Sequence, residues 1–448
     1  MENTKTLLSF LEEKNYQKLR ELLIETPPAD IAILFDDLPS GTLPLLFRLL
    51  PKEQAAEVFV ELSSDMQELL IDGFSDTELK DVLDELYLDD TVDIIEEMPA
   101  NVVKRIIRHS DPEVRAGIND ILKYPKDSAG SIMTIEYVDL KKDMTVKDAF
   151  TRIRRTGVDK ETIYTCYVID PNRVLLGLVS VKDLLLSDYS CKIGDIMEQN
   201  IIYVNTLDDQ EDVALQFNKY DFLALPVVDN EKRLVGIITV DDAIDVIQEE
   251  NSEDFEVMAA ITPTDKPYMK TGVLETWKKR IPWLLLLMIS ATFTAHIIKT
   301  YEDALGKVLI LTTFIPMFMD TAGNAGSQSS VTVIRGISLG EIEFRDIFRI
   351  IWKELRVAFL CGVTLAAANF VKLLVFNRAD VSITIALVVC LTLMTTVLLA
   401  KIVGCTLPLL AKRIGFDPAV MASPFITTIV DAFSLIIYFN FASMLLHL

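Results

Sequence analysis

Histidine is almost missing from this chain. Three of its 448 residues are histidines (His109, His296, His447), and its five cysteines (Cys166, Cys191, Cys361, Cys390, Cys405) show no Cys-x-x-Cys spacing. Without a His/Cys cluster, the usual ligand set of a zinc or copper centre is missing, which argues against one. Three of the cysteines lie in apolar runs, which predicts free thiols and a reducing compartment for the polar part of the chain. Positive charge is also scarce: 43 Lys+Arg stand against 66 Asp+Glu, a formal net charge of −23. Such an excess repels nucleic acid and attracts cations. A nucleophile–base pair, a glycine-rich phosphate loop and an HExxH-type motif are all missing, which argues against an enzyme. The first residues, Met-Glu-Asn-Thr-Lys, open an amphipathic stretch and not a signal-peptide core, so the polar part is expected in the cytoplasm.

What is present is divided. Half of the residues are hydrophobic despite the charge. Residues 276–448 carry 15 Lys+Arg and 10 Asp+Glu, leaving 28 of the 43 basic and 56 of the 66 acidic residues to positions 1–275. The sequence therefore predicts an acidic soluble body followed by a membrane body. Residues 1–127 show short apolar-periodic segments that begin at Pro or Asp, such as Pro28–Phe35, Pro51–Val60 and Asp89–Met98. They read as an α-helical superhelical N-domain of stacked short helices. Its acids Asp81, Asp84, Glu85, Asp89, Asp90, Asp93, Glu96 and Glu97 are dense enough to need a counter-ion or to cost stability; a solvated face is the plainer reading.

Residues 128–250 repeat at a period of about 60 residues, with copies at about 128–190 and 191–250. Each copy reads strand, helix, strand, strand, helix. Each opens on Ile-Met (Ile132-Met133, Ile196-Met197) and closes on Gly-h-h-Ser/Thr-x-x-Asp, ending in Ser180/Asp183 and Thr239/Asp242. This α/β pattern resembles a tandem pair of CBS domains. In many such pairs the Ser/Thr-x-x-Asp holds a ribose, which would place ATP near Ser180, Asp183 and Phe222; the same Asp also suits a helix cap. Residues 241–277 follow as an acidic connecting helix and linker. Asp242, Asp245, Glu249 and Glu253 share one side of that helix, where carboxylates suit Mg²⁺ or Ca²⁺ and a solvated face is the alternative.

Residues 278–448 contain five apolar segments, roughly 281–299, 308–334, 355–377, 382–411 and 419–446. Each approaches or exceeds the ~20 residues that cross a bilayer. Basic residues precede the first segment (Lys278, Lys279, Arg280), separate the second from the third (Arg335, Arg345, Arg349, Lys353, Arg356) and separate the fourth from the fifth (Lys412, Arg413). The loops at 301–304 and 377–380 are poorer in charge. Positive-inside logic puts the N-terminus in the cytoplasm and the C-terminus outside. Two polar sites interrupt the apolar runs. The second segment holds Asp320, Asn324 and Gln328 among small residues that allow close helix approach or a helix break. The fifth holds Asp431 in Ser423-Pro-Phe-Ile-Thr-Thr-Ile-Val-Asp431. An acid there costs ~3 kcal/mol or more and points to a cation path, or to a helix-packing acid.

Taken together, the helical acidic domain, the CBS pair, the acidic helix, the five spans, Gly-Asn-Ala-Gly-Ser-Gln and Pro-Phe-Ile-Thr-Thr-x-x-Asp resemble the MgtE family of magnesium channels/transporters along essentially the whole chain. The resemblance implies a homodimer in the cell membrane whose second and fifth spans line a pore. It places the pore acid at Asp431 and further acceptors at Asn324, Gln328 and Thr427/Thr428. It also implies closure by cytosolic Mg²⁺ at Glu57, Asp89, Asp93, Asp221, Asp242, Asp245, Glu250, Glu253, Asp254 and Asp417. This chain departs from some members at Ser434 and at Asp320, which adds a second intramembrane acid, and at Thr165 and Lys182 in the first CBS copy. A coupled divalent-cation exchanger and a membrane-tethered nucleotide sensor are the alternative readings.

Overall fold

The computed structural model describes residues 2–36, 38–264, 268–269, 271–301, 306, 308–376, 381–421 and 423–447. The chain divides into two units, Met1–Ile247 and Gln248–Leu448.

Unit one begins with helices α1 (Glu2–Glu12), α2 (Tyr16–Glu25), α3 (Pro28–Asp36), α4 (Leu43–Phe47), α5 (Lys52–Val60), α6 (Ser64–Gly73), α7 (Asp76–Leu83), α8 (Leu88–Glu97), α9 (Ala100–His109) and α10 (Pro112–Ile121). Proline punctuates them. Pro28 and Pro112 open α3 and α10, and Pro51 and Pro99 sit just before α5 and α9. The first amides of a helix have no intrahelical acceptor, so proline there costs no hydrogen bond. At α7, Ser75 and Glu78 close a reciprocal capping box. One apolar core runs through the ten helices. Its centre is Phe47, Phe59 and Phe74, with ring centroids 5.4 to 6.4 Å apart. Burying each such ring stabilises the array by about 1.5–3 kcal/mol.

Two three-stranded sheets follow. The first joins β1 (Val138–Lys141), β2 (Thr165–Ile169) and β3 (Leu175–Ser180), with α11 (Val146–Thr156) and α12 (Val181–Leu186). The second joins β4 (Val204–Asn205), β5 (Ala224–Val228) and β6 (Leu234–Thr239), with α14 (Gln210–Tyr220) and α15 (Val240–Met258); the short α13 (Ile193–Ile196) packs on the first sheet, where Ile193 is buried. Both run parallel then antiparallel, and both carry a register shift at the same place, Val168/Ile169 and Val227/Val228.

The two copies exchange their openings. Thr134, after Ile132-Met133, trades backbone hydrogen bonds with Ile237 of the second sheet, and Glu198, after Met197, does the same with Leu178 of the first. The motif glycines make room for this. A Cβ on Gly236 would lie 2.7 Å from Met133 Sδ, and one on Gly177 would lie 2.8 Å from Met197 Sδ. In chain order each copy begins on the Ile-Met pair; in space each pair completes the other copy's sheet.

Unit two holds five long helices among the described residues: α16 (Val273–Thr300), α17 (Ile315–Ser338), α18 (Ile347–Phe376), α19 (Ile383–Arg413) and α20 (Ser423–Leu446). Four of them, α16, α18, α19 and α20, are long and apolar enough to cross a membrane. The fifth, α17, is less apolar because polar and small residues fill Asp320–Ser330. The loop residues 302–305 and 377–380 lie outside the described set.

The helix α17 runs unbroken through its Gly-Asn-Ala-Gly stretch, so the break that those residues permit is not formed. The glycines serve close packing instead. A Cβ on Gly323 would lie 2.9 Å from Thr427 Cγ2 on α20, and one on Gly404 of α19 would lie 2.2 Å from the Gly326 carbonyl oxygen. One turn away, Lys401 of α19 is buried with Glu354 of α18 and Ser329 of α17. Its Nζ lies 3.7 Å from Glu354 Oε2 and donates to Ser329 Oγ at 3.2 Å, while Ser329 donates to Glu354 at 2.6 Å.

Candidate functional site

Two sets of polar side chains stand out, one in each unit. In unit two, Asp320, Asn324 and Gln328 recur every four residues on α17, so they share one face. All three are exposed, whereas Ala322, Gly323, Ala325, Gly326 and Ser329 on the remaining faces are buried. A carboxylate and two carboxamides on a lipid-facing surface would be costly, so this face belongs to water or to a polar partner. On α20, Asp431 is half-buried, and its Oδ1 is buried without a hydrogen-bond partner among the described residues. Asp320 lies close enough to act on it electrostatically. The sequence-predicted pore residues thus meet along α17 and α20, which are joined by Gly323 and Thr427. Thr428 is committed elsewhere: its hydroxyl donates to the Pro424 carbonyl of its own helix at 3.1 Å.

In unit one, Asp89, Glu136 and Glu161 place carboxylate oxygens within 4.8 Å of one another. Asp89 projects from the first turn of α8 and is 7% exposed. Glu136 precedes β1, and Glu161 lies between α11 and β2; the Glu161 amide donates to the Glu136 carbonyl at 3.0 Å and ties the two segments together. Asp90, Asp241 and Asp242 add to the same field. Burial pushes Asp89 well above the ordinary carboxylate range, and Asp242 and Asp90 add to the shift. Burial, then Asp242, raises Asp90 to about 7 and Glu161 to about 8. Asp242 is raised to about 6 by burial, against the hydrogen bond from Thr239. Asp245 is raised by burial and by Asp241.

Carboxylate crowding of this kind favours protons or a hard cation, and an all-oxygen donor set suits Mg²⁺ or Ca²⁺. Asp89 and Asp242 were expected here from the sequence. Glu136 and Glu161 were not, because neither belongs to a dense acidic run and only the fold brings them together.

A second acidic pair forms in unit two. Asp254 on α15 accepts from Ser338 Oγ at 3.2 Å, and it is raised by burial and by Asp417. Asp417 itself caps the turn before α20 by accepting from the Ala419 amide at 2.7 Å. The remaining expected acids are spread out. Glu57 is exposed on α5, Asp93 is exposed one turn beyond Asp89, and Glu250 and Glu253 lie on α15. Asp221 is exposed in a left-handed conformation that ends α14. The nucleotide candidates Ser180 and Asp183 bond to each other at 2.5 Å as the cap of α12, and Phe222 stacks on Tyr220.

Comparison with known proteins covers both units. Residues 26–127 match the MgtE intracellular N domain, residues 129–188 and 193–249 match the CBS domain, and residues 315–441 match the MgtE family described as a divalent cation transporter. The chain is 36% identical over 446 residues to magnesium transporter MgtE of Thermus thermophilus, covering 99% of this chain and 98% of that one. It is 31% identical over 445 residues to magnesium transporter MgtE of Bacillus subtilis, covering 98% and 97%. Among solved structures, the cytosolic domain of the Mg²⁺ channel MgtE in complex with ATP matches with a TM-score of 0.52 and 39% identity, covering 54% of this chain and 99% of that one. The soluble part of a magnesium transporter matches with a TM-score of 0.52 and 31% identity, over 56% and 98%.

Proposed function

The chain belongs to the MgtE family of magnesium transporters, and from that premise we propose that it carries Mg²⁺ across the cell membrane into the cytoplasm, as a homodimer with its N-terminus inside and its C-terminus outside. The observation that carries the reading is the polar face of α17. Asp320, Asn324 and Gln328 are exposed on a helix packed among apolar ones, next to an Asp431 oxygen that lacks a partner among the described residues. In a dimer, two such faces enclose a hydrated path. Mg²⁺ holds its waters tightly, so carboxylates and carboxamides select it through its hydration shell.

The proposal extends to control. Mg²⁺ held by Asp89, Asp242, Glu136 and Glu161, with a second ion at Asp254 and Asp417, closes the path when cytosolic Mg²⁺ is high. Glu57, Asp93, Asp221, Asp245, Glu250 and Glu253 belong to the same regulatory set. The donor sets support this, since the strongest charges acting on Asp89, Asp90 and Glu161 are other carboxylates. The CBS pair would carry ATP at Ser180, Asp183 and Phe222, by analogy with the ATP-bound relative.

Mg²⁺ flux through the reconstituted full chain tests the path. Flux is expected for the native chain and a large drop for Asp431→Asn; native-level flux in that variant overturns the assignment. A second reading, coupled exchange, draws on the two neighbouring acids Asp320 and Asp431. Flux that requires a counter-gradient of Na⁺ or H⁺ would favour it over a channel.

A further inference from the structure

The start of α18 carries a surface that neither the transport path nor the acidic clusters use. Arg349, Trp352 and Arg356 follow one another at i, i+3 and i+7, so they share one face of the helix. Arg345 sits in the turn just before the helix, and Phe348 borders the face. The Arg345 and Arg349 side chains are 78% and 89% exposed, and Phe348 and Trp352 are 82% and 60% exposed. The Arg356 guanidinium lies over the Trp352 ring, 5.8 Å from its centroid. Arg345 pairs with Glu343 at 3.0 Å and Arg349 with Asp346 at 3.5 Å. Both pairs are so exposed that they hold their arginines weakly.

What the same face does further along identifies the occupant. From Arg356 it continues at i+3, i+4 and i+7 into Phe359, Leu360 and Val363, all exposed and all apolar. The opposite face, with Ala358 and Gly362, is buried in the bundle, where Gly362 meets Met394 of α19. A basic and aromatic band that passes directly into an exposed apolar face marks the level where hydrocarbon gives way to headgroups. Arginines at that depth stack on aromatic rings and fork onto phosphate oxygens.

We infer that the Arg345–Arg356 face of α18 is a docking surface for anionic phospholipid headgroups, seated by the guanidinium groups of Arg349 and Arg356 with Trp352 at the interface. It rests on the chain's residence in a membrane and is independent of which ion it carries.

Trp352 supplies the test. The chain's other tryptophans are Trp277 and Trp283, so Trp277→Phe/Trp283→Phe leaves Trp352 as the only reporter. The full chain is placed in vesicles containing either brominated phosphatidylglycerol or brominated phosphatidylcholine at equal mole fraction. Stronger quenching by the anionic lipid is expected. The preference should fall about fivefold for each charge removed in Arg349→Gln/Arg356→Gln and should survive in Arg349→Lys/Arg356→Lys. Equal quenching by the two lipids overturns the inference, as does a preference unchanged by the glutamine pair. Mg²⁺ flux measured on the same vesicles reports the path separately, so one result can fail without the other.

Discussion

At the scale of single residues, the two intramembrane acids differ in what they face. Asp431 keeps a buried oxygen that no described group satisfies, whereas Asp320 is exposed on the polar face of α17. A hydrogen bond to a charged group contributes about 1.5–3 kcal/mol. Asp431→Asn should therefore lower Mg²⁺ flux by about tenfold to hundredfold, with the protein still folded by circular dichroism. Asp320→Asn should lower it less, because that carboxylate meets water more freely. Flux equal to the native value in both variants would remove the path from this face. Both acids were legible in the sequence, since a carboxylate in an apolar run is costly wherever it lies. Glu136 and Glu161 were not legible. They are 25 positions apart, and they meet because the backbone bond between them closes the loop after α11. Glu161→Gln should weaken Mg²⁺ protection of the cytosolic part against protease, read as a higher Mg²⁺ concentration for half-protection.

At the scale of elements, the polar helix α17 is held in place by its neighbours. Gly404 lets α19 touch the backbone at Gly326, and Lys401 binds α17 and α18 through Ser329 and Glu354. A buried ion pair that loses one partner costs about 3–5 kcal/mol, while replacing both by neutral groups is often neutral. Glu354→Gln should lower the thermal midpoint of the detergent-solubilised protein, and Lys401→Met/Glu354→Gln should recover most of the loss. Two independent, additive losses would mean that the pair is not coupled. Gly404→Ala should be worse than either, because its Cβ meets backbone that cannot swing aside. The order of these helices could be read from the apolar runs but not all of their bounds: α16 begins at Val273 and α18 at Ile347, ahead of the expected segments, and α17 begins at Ile315, behind its own. Nor could their tertiary partners: Lys401 reads as an isolated charge inside a span until Glu354 and Ser329 are seen beside it. The exchanged Ile-Met openings of the CBS pair were hidden for the same reason, since strand pairing across copies leaves no local pattern.

At the scale of the whole molecule, charge is partitioned so that residues 1–275 carry most of the acid, and part of that acid is buried where carboxylates repel. This couples stability to pH. Asp90, Glu161 and Asp242 take protons in the folded state at about 7, 8 and 6, whereas in the unfolded chain they release them near the ordinary value of about 4. Between those limits the folded state binds more protons than the unfolded one, so stability falls as pH rises. The effect of these groups is fully favourable below about pH 4 and lost as pH rises through their folded values. Under the proposed regulation Mg²⁺ would substitute for the protons, neutralising the same oxygens in the folded cluster alone. In metal-free buffer the thermal midpoint of the full chain, followed through its cytosolic part, should therefore drop between pH 5.5 and pH 8, windows set by the folded values of about 6 to 8. Millimolar Mg²⁺ should restore it mainly at the alkaline end. Asp89→Asn/Glu161→Gln should flatten both responses, since it removes the most buried acid and the one raised to about 8. A midpoint that rises with pH in metal-free buffer, or a Mg²⁺ effect equal at both ends, would show that the buried carboxylates do not link cation binding to the fold.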